Sequence, residues 1–182
     1  VAIVLPPGIG ATIANISCVL ADKVPVNINF TLGRSQVLHC IKQADVDCMI
    51  SSSVFREKLN EKYPEFPWMD SFIDIGLSLQ KVKRWKLLGL LGVIPFLPTV
   101  WVSWLLKIPN QGGDDEAALL FTSGSSGDPK GVILTHRNLL ANLRQIEDSD
   151  ILPERSKLLS SLPVFHSFGF TVGIWYALSR ET

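Results

Sequence analysis

The stretch Leu119-Leu-Phe-Thr-Ser-Gly-Ser-Ser-Gly-Asp-Pro-Lys130 decides what the rest of this chain can be. It begins as an apolar run typical of a strand and continues into glycines and hydroxyl side chains that end on a lysine. Small residues let the backbone approach a ligand closely, and successive N–H groups in such a loop form a nest for anions. The stretch therefore predicts a phosphate-binding loop, although its composition alone is also typical of a plain connection between two strands.

Three familiar motifs do not fit this loop. A Walker loop requires GxxxxGK[ST], but Gly127 is followed by Asp128 instead of a lysine. The dinucleotide fingerprint GxGxxG is absent as well. No serine in the loop has a glycine two residues away on both sides, which the elbow of a serine hydrolase requires. These exclusions leave two interpretations, a different class of phosphate-binding loop or a plain connection between strands.

The segment 119–132 resembles the AMP-binding signature of the adenylate-forming superfamily, which includes acyl- and aryl-CoA synthetases, luciferases and peptide-synthetase adenylation domains. Every signature position matches, including the Pro-Lys-Gly exit at 129–131. The resemblance implies that ATP binds here with Mg²⁺, and that the loop holds the β- and γ-phosphates. The residues to which it assigns this role are Thr122, Ser123, Gly124, Ser125, Ser126, Gly127 and Lys130.

Two later stretches resemble the same family. Ile133-Leu-Thr-His-Arg-Asn138 follows the loop as a strand and a turn, and we interpret His136 as a structural residue at a helix start. A general base is the alternative, but nothing in the sequence pairs His136 with a nucleophile. Leu162-Pro-Val-Phe-His-Ser-Phe-Gly169 resembles the family's second core motif, in which a histidine or an aromatic residue lies between ATP and the acyl substrate.

The second motif makes His166 the candidate catalytic residue beside the acyl-adenylate, with a core histidine as the alternative. We expect the neighbouring Phe165, Phe168 and Phe170 to belong to the core. Both motifs are most similar to bacterial acyl-[acyl-carrier-protein] synthetases, some of which are fused to a lysophospholipid acyltransferase. The HxxxxD motif of such an acyltransferase is absent from this chain.

The rest of the chain alternates runs typical of strands and helices. Strands are predicted at 1–5, 24–28, 46–50, 117–121, 131–134 and 157–162, and helices at 11–20, 35–44, 54–61, 137–146 and 168–178. This alternation predicts an α/β fold with a mostly parallel sheet and crossover helices. The chain begins at Val1 without a methionine and stops directly after an apolar run, so we expect a piece of a longer protein.

We interpret residues 1–182 as an incomplete N-terminal AMP-binding domain. The resemblance places the family's adenine-binding and ribose-binding segments and its C-terminal catalytic lysine beyond Thr182. We therefore expect this piece alone to form no adenylate.

Residues 63–113 interrupt the alternation and are predicted to be an insertion. Within them, residues 87–106 form 20 positions without a charge, which reaches the ~20 residues that a membrane span needs. Pro95 and Pro98 divide this run, and strands of one sheet lie on both sides of it, so we expect no span. Two hypotheses remain. In the first, which we favour, residues 85–107 lie on a membrane surface beside a basic flank. In the second, they pack on the protein or line an acyl-chain channel.

Composition narrows the class of protein further. The 17 basic and 17 acidic residues cancel, so no global field favours nucleic acid. The three cysteines form no CxxC pair, which argues against a metal site and favours buried reduced thiols in a cytoplasmic protein. If residues 85–107 bind lipid, the protein is peripheral at the inner face of the cell membrane.

The resemblance implies ATP-dependent activation of a carboxylic acid, and we expect a long-chain fatty acid. The product is an acyl-AMP, whose acyl group then passes to a phosphopantetheine thiol of acyl carrier protein or CoA. Two alternatives stay open. One is a non-catalytic member that uses the loop to bind anions or a partner, and the other is a module that anchors to a membrane surface.

Overall fold

The computed structural model describes residues 1–122, 127–149 and 157–180. Within these ranges, six strands form one sheet in the order β4-β3-β1-β2-β5-β6. Neighbouring strands run parallel, except that β5 and β6 form an antiparallel hairpin. The predicted mostly parallel α/β sheet is therefore confirmed. The strands are β1 Ala2–Ile3, β2 Val26–Asn27, β3 Met49–Ser51, β4 Phe72–Asp74, β5 Glu116–Thr122 and β6 Lys130–Thr135.

Helices occupy most of the connections between the strands. Helix α7 begins with a capping box, in which the Thr135 hydroxyl accepts from the Asn138 N–H and the Asn138 side chain accepts from the Thr135 N–H. Near the C-terminus, α8 continues directly through a π-helix, Thr171–Tyr176, into α9. The helices are α1 Ile9–Leu20, α2 Arg34–Gln43, α3 Ser53–Lys62, α4 Ile75–Gln80, α5 Arg84–Val93, α6 Thr99–Leu105, α7 His136–Asp148, α8 Ser167–Phe170 and α9 Ala177–Ser179.

The sheet is buried on both faces, and the side chains of β1 show how. Ile3 packs into one core cluster with residues of α1, α7 and α8. Ala2 and Val4 point the other way, because successive strand residues alternate, and pack into a second cluster with residues of α2 and α3. A strand buried on both faces needs apolar residues at consecutive positions. This explains the unbroken apolar run at the start of the sequence.

The predicted strand at 157–162 is wrong. These residues have no regular secondary structure, and the Leu159 side chain is 90% exposed. Leu158 packs instead against a small cluster that contains Leu143 of α7 and Tyr176 of the π-helix. The apolar run that suggested a strand therefore covers helices without pairing to the sheet.

The sheet extends into the region predicted as an insertion, 63–113. Phe66 is buried in the core, and β4 pairs in parallel with β3. The part that leaves the sheet contains α4, α5, a 3₁₀ turn at Ile94–Phe96 and α6. Within the described ranges, none of the helices has both the length and the apolar character needed to cross a bilayer.

A buried pair of amides joins α1 to β2. Asn27 donates to the side-chain oxygen of Asn15 at 2.8 Å, and Asn15 donates back to Asn27 at 3.1 Å. The Asn15 amide also donates to the carbonyl of Ala11 at 2.9 Å. Both side chains are almost completely buried, so each satisfies the other where water is excluded. The pair fixes the helix on the strand that leads to the carboxyl edge of the sheet.

Gly169 lets α8 pack on the backbone of the segment before it. A Cβ atom at this position would lie 2.3 Å from the Pro163 carbonyl oxygen and 2.9 Å from that of Leu162. Because both neighbours are backbone atoms, no side-chain rotation could relieve the clash. The close approach holds the turn at 163–166, and with it the start of α8, in one position.

Replacing only one amide of the buried pair should be more harmful than replacing both. We expect Asn27→Leu to lower the free energy of unfolding by about 1–3 kcal/mol, because Asn15 would lose its partner in the core. Adding Asn15→Leu should restore part of that loss. Urea unfolding with an unchanged m-value measures both effects. A double variant that loses as much as the two single variants combined would contradict the pairing.

Gly169→Ala should destabilise the protein, because the new methyl group overlaps two carbonyl oxygens. We expect the free energy of unfolding to fall by about 1–3 kcal/mol in urea titrations. Gly10→Ala in α1 is the matched control, since its Cβ would meet nothing within 4 Å. That substitution should be neutral or stabilising by about 0.4–1 kcal/mol. Equal stabilities of the two variants would show that α8 has room to shift.

Candidate active site

The pairing of β2 with β5 places their carboxyl ends side by side. Val26 lies opposite Leu119, and Asn27 lies opposite Leu120. After β2 the chain turns back to β3, and after β5 it turns away to β6, on the other side. Chains that diverge in this way leave a crevice outside the carboxyl ends of parallel strands, where ligands of α/β proteins commonly bind.

A crevice of about 210 Å³ lies at this edge. Three separate parts of the chain form its walls: the residues that follow β2, the hairpin of β5 and β6, and the turn that precedes α8. Residues of both predicted motifs line it together. The full lining is Asn29, Leu32, Leu120, Phe121, Thr122, Pro129, Phe165, His166 and Ser167.

The predicted phosphate loop joins β5 to β6, and Thr122 and Pro129 at its two sides line this crevice. Thr122 and Lys130 pair across the hairpin, and the Thr122 hydroxyl donates to the Lys130 carbonyl at 3.4 Å. Both residues are exposed. Gly127 has a φ of +145°, a conformation that favours glycine. Ser123, Gly124, Ser125 and Ser126 lie outside the described residues.

The C-terminal side of the loop, directly before β6, is anchored to the body of the protein. Pro129 is buried, although its neighbours Asp128 and Lys130 are exposed. The Asp128 carboxylate lies 3.8 Å from Nδ1 of His39 on α2. A buried proline with its fixed φ limits the freedom of the chain at the point where the loop re-enters the sheet. Lys130 therefore projects from a fixed position on the strand.

His166 occupies the N-cap position of α8 at the crevice wall. Its N–H donates to the Pro163 carbonyl at 3.0 Å, and its carbonyl accepts from the Phe170 N–H at 2.8 Å. The imidazole is exposed and leans on the Phe165 ring, with 4.8 Å between the ring centroids. Phe165 is itself buried and meets Phe30 edge to face at 5.3 Å. The buried Phe165 ring thus supports the imidazole beside the crevice.

His136 lies elsewhere, as the first residue of α7. Its N–H donates to the Asp115 carbonyl at 3.1 Å, which agrees with a structural role at the helix start. Its side chain does not line the crevice, and Nε2 is buried without a hydrogen-bond partner among the described residues. This placement favours the structural interpretation over a general base in the crevice.

Sequence reasoning missed part of the site. Asn29 lines the crevice and accepts from the N–H and the hydroxyl of Thr31, at 3.0 and 2.7 Å, in an Asx turn after β2. An asparagine directly after a predicted strand is a recognisable signal for such a turn. Phe165 and Phe170 are buried as expected, but Phe165 also forms crevice wall. The assignment of Phe168 to the core is wrong, since its side chain is 62% exposed.

The cysteines are not among the residues that line the crevice. Cys18 and Cys40 are buried as expected, and Cys48 is half-buried. Burial raises the pKa of the Cys18 and Cys40 thiols to about 11. At neutral pH these thiols are therefore protonated and poor nucleophiles.

The crevice combines two kinds of surface. Its rim carries the Thr122 hydroxyl, while Lys130 pairs with Thr122 on the neighbouring strand and does not itself line the crevice. A hydroxyl and an ammonium group both suit the oxygens of a phosphate. Its inner wall is apolar and aromatic, formed by Leu120, Phe121 and Phe165. His166 lies where the two surfaces meet. The arrangement fits a ligand with a polyphosphate at one end and an apolar group at the other.

Comparison with known proteins identifies the family and the fold. The model of the AMP-binding enzyme family matches residues 1–181. The long-chain-fatty-acid–[acyl-carrier-protein] ligase AEE15, chloroplastic, of Arabidopsis thaliana is 46% identical over 55 residues, which cover 30% of this chain and 8% of that protein.

Solved structures share the fold. The o-succinylbenzoate CoA synthetase of Bacillus subtilis, in complex with its acyl-adenylate intermediate, superposes with a TM-score of 0.73 at 20% identity. The match covers 100% of this chain and 41% of that one. The same synthetase in complex with ATP and a magnesium ion gives a TM-score of 0.69 at 20% identity, over 100% of this chain and 42% of that one.

The chain thus spans less than half of each of these proteins. The family model nevertheless covers almost all of it, and the fold agrees with that match. The chain belongs to the AMP-binding enzyme family.

Proposed function

We propose that this chain is the N-terminal part of an enzyme that activates a long-chain fatty acid with ATP. In the first step, a carboxylate oxygen attacks the α-phosphorus of ATP, and pyrophosphate leaves as the mixed anhydride acyl-AMP forms. In the second step, a thiol attacks the acyl carbon, so that a thioester forms and AMP leaves. The observation that carries this proposal is the single crevice lined by residues of both signature motifs.

The nucleotide end of the proposal rests on the hairpin rim. Thr122 offers a hydroxyl donor, Gly127 lets the backbone approach closely, and Lys130 supplies a positive charge. Mg²⁺ would accompany ATP and neutralise charge on the phosphates as pyrophosphate leaves. Catalysis of phosphate chemistry depends mainly on such positioning and neutralisation, so we assign binding roles to the loop residues, Ser123 to Ser126 included.

The acyl end of the proposal rests on the wall of the crevice. His166 lies between the polar rim and the Phe165 ring, where the new anhydride would lie in such a reaction. Leu32, Leu120 and Phe165 offer apolar surface to the first part of an acyl chain. The match to a ligase of long-chain fatty acids and acyl carrier protein supports this choice of acid.

We also propose a phosphopantetheine thiol as the acceptor, carried by acyl carrier protein or by CoA. One matched protein is a ligase to acyl carrier protein and the other is a CoA synthetase, so both carriers are consistent with the family. We further propose a cytoplasmic location, which suits buried thiols that remain reduced.

Replacing the rim lysine should impair the first chemical step. In the natural full-length protein, we expect Lys130→Ala to reduce fatty-acid-dependent ATP–pyrophosphate exchange by about a hundredfold, because a positive charge beside the leaving phosphates is lost. Lys58→Ala, an exposed lysine of α3, is the matched control and should keep full activity.

Two results of this assay would contradict the proposal. If no carboxylic acid supports exchange by the unchanged protein, the loop serves the non-catalytic alternative and only binds anions or a partner. If exchange occurs and Lys130→Ala leaves it intact, the lysine has no role in holding the phosphates.

The imidazole should matter more for the acid than for the nucleotide. We expect His166→Ala to raise the KM for the fatty acid about tenfold, because the crevice loses the imidazole that packs on Phe165. The KM for ATP should change less. His166→Phe should restore much of the loss, because an aromatic ring can rest on Phe165 in the same way. Leu159→Ala, an exposed position in the same segment, is the control. Equal changes in both KM values would place His166 outside the acyl side of the site.

A further inference from the structure

We propose that residues 84–107, here named the apolar segment, dock the protein on the surface of an anionic lipid bilayer. The apolar segment comprises α5, the 3₁₀ turn Ile94–Phe96 and α6. Its helices would lie in the plane of the headgroups, with aromatic and leucine side chains among the upper parts of the acyl chains. This binding goes beyond the proposed catalytic function and does not depend on it.

The apolar segment has large hydrophobic side chains that no other described part of the chain covers. Phe96 is 85% exposed, Trp104 is 82% exposed, and Trp101 is also largely exposed. The leucines of α5 are exposed on every side of the helix, although a helix that is apolar all round normally lies in a core or in a membrane. Among the described residues, 15 of the 27 exposed large hydrophobic side chains fall within residues 75–113.

Charge in this part of the chain has only one sign. Residues 75–113 contain five of the 17 basic residues and none of the 17 acidic ones. Since the whole chain is formally neutral, the part 75–113 carries +5 and the remainder carries −5. The basic residues stand at the two ends of the apolar run: Lys81, Lys83, Arg84 and Lys86 before it, and Lys107 after it.

This combination matches the surface of an anionic bilayer. Basic side chains attract anionic headgroups, and tryptophans favour the interface between headgroups and acyl chains. A second copy of this chain fits less well, because a symmetric contact would bring the same basic residues of both copies together. The observed charges therefore favour lipid over a copy of the protein as the occupant of this surface.

The lengths of the helices place the segment on the bilayer and not across it. At 1.5 Å per residue, α5 with its 10 residues is about 15 Å long and α6 with its 7 residues about 10 Å, against a hydrocarbon core of about 30 Å. Pro95 and Pro98 separate the two helices, so they do not join into one. The connection that contains both helices also begins at β4 and ends at β5, which are strands of the same sheet.

Sheet topology does not require so long an excursion. The chain passes from β4 at one edge to β5, which lies beyond β3, β1 and β2. Four strand spacings amount to about 19 Å, and a parallel crossover needs only a dozen or more residues. The connection runs from residue 75 to residue 115. Its extra length is free to serve a purpose other than closing the sheet.

Vesicle sedimentation of the full-length protein without ATP tests the proposal. We expect it to bind vesicles of phosphatidylcholine mixed with phosphatidylglycerol, and to bind pure phosphatidylcholine weakly. Trp101→Ser combined with Trp104→Ser should reduce binding by at least about tenfold, since two interfacial anchors are lost. Lys83→Gln and Lys86→Gln should each reduce binding to the anionic vesicles by about fivefold, and added salt should have the same direction of effect.

Two substitutions on α3 serve as matched controls. Val54→Ser removes another exposed hydrophobic side chain, and Lys58→Gln removes another exposed positive charge. Neither should change binding. Because every altered residue is exposed, the variants should fold, and far-ultraviolet circular dichroism checks this.

Three outcomes would overturn the proposal. The first is unchanged binding by the double tryptophan variant. The second is equal binding to neutral and anionic vesicles, which would remove the role of the basic residues. The third is absence of binding to anionic vesicles; if the protein is then a dimer in sedimentation velocity and the tryptophan variant loses that dimer, the surface belongs to a second copy. Each outcome is independent of ATP–pyrophosphate exchange, so failure of the proposed reaction is read separately.

Discussion

The arrangement of the crevice depends on the parallel pairing of the very short strands β1 and β2 with each other and of β2 with β5. The N–H groups of Val26 and Ile28 donate to the carbonyls of Val1 and Ile3, and the Pro25 carbonyl accepts from Leu119 at 3.1 Å. Pro25 has no N–H to contribute, so it fits only directly before β2, where its carbonyl is used and its nitrogen is not. These few bonds align the carboxyl ends of β2 and β5, and that alignment brings Asn29 and Thr122 to one crevice.

The buried amide pair makes this alignment specific. Asn27 lies on the face of β2 that meets α1, and its side chain pairs there with that of Asn15. A shift of β2 by one residue would turn Asn27 towards the opposite, apolar cluster, because side chains alternate along a strand. The cost of burying an unpaired amide therefore opposes the shift. Gly169 has a corresponding role on the third wall, because its missing side chain sets the position of the turn that carries His166.

The sequence predicts those parts of the molecule that local chemistry determines. The hairpin of β5 and β6 follows from two apolar runs around a Gly/Ser loop, and the parallel order follows from alternating strands and helices. Local patterns fail where tertiary contacts decide. Residues 157–162 have the apolar character of a strand, but Leu158 packs on helices instead. Phe168 belongs to an apolar run, yet the register of α8 turns Phe170 inward and leaves Phe168 exposed. Asn29 joins the site only because distant strands bring it beside Thr122.

A formal charge of zero conceals the most informative feature of the chain's electrostatics. The balance of 17 basic and 17 acidic residues argues against a global field. It nevertheless combines a basic part, residues 75–113, with an acidic remainder of the chain. At physiological ionic strength, fields decay over about 8 Å, so each region responds to its own surroundings. The crevice therefore lies in a body with an excess of negative charge, so the proposed binding of a polyphosphate would depend on local donors such as Thr122 and Lys130. The apolar segment needs no such help, because the charges at its two ends are all positive. Under the two proposals, the nucleotide and the lipid surface would therefore be attracted to different parts of the same neutral chain.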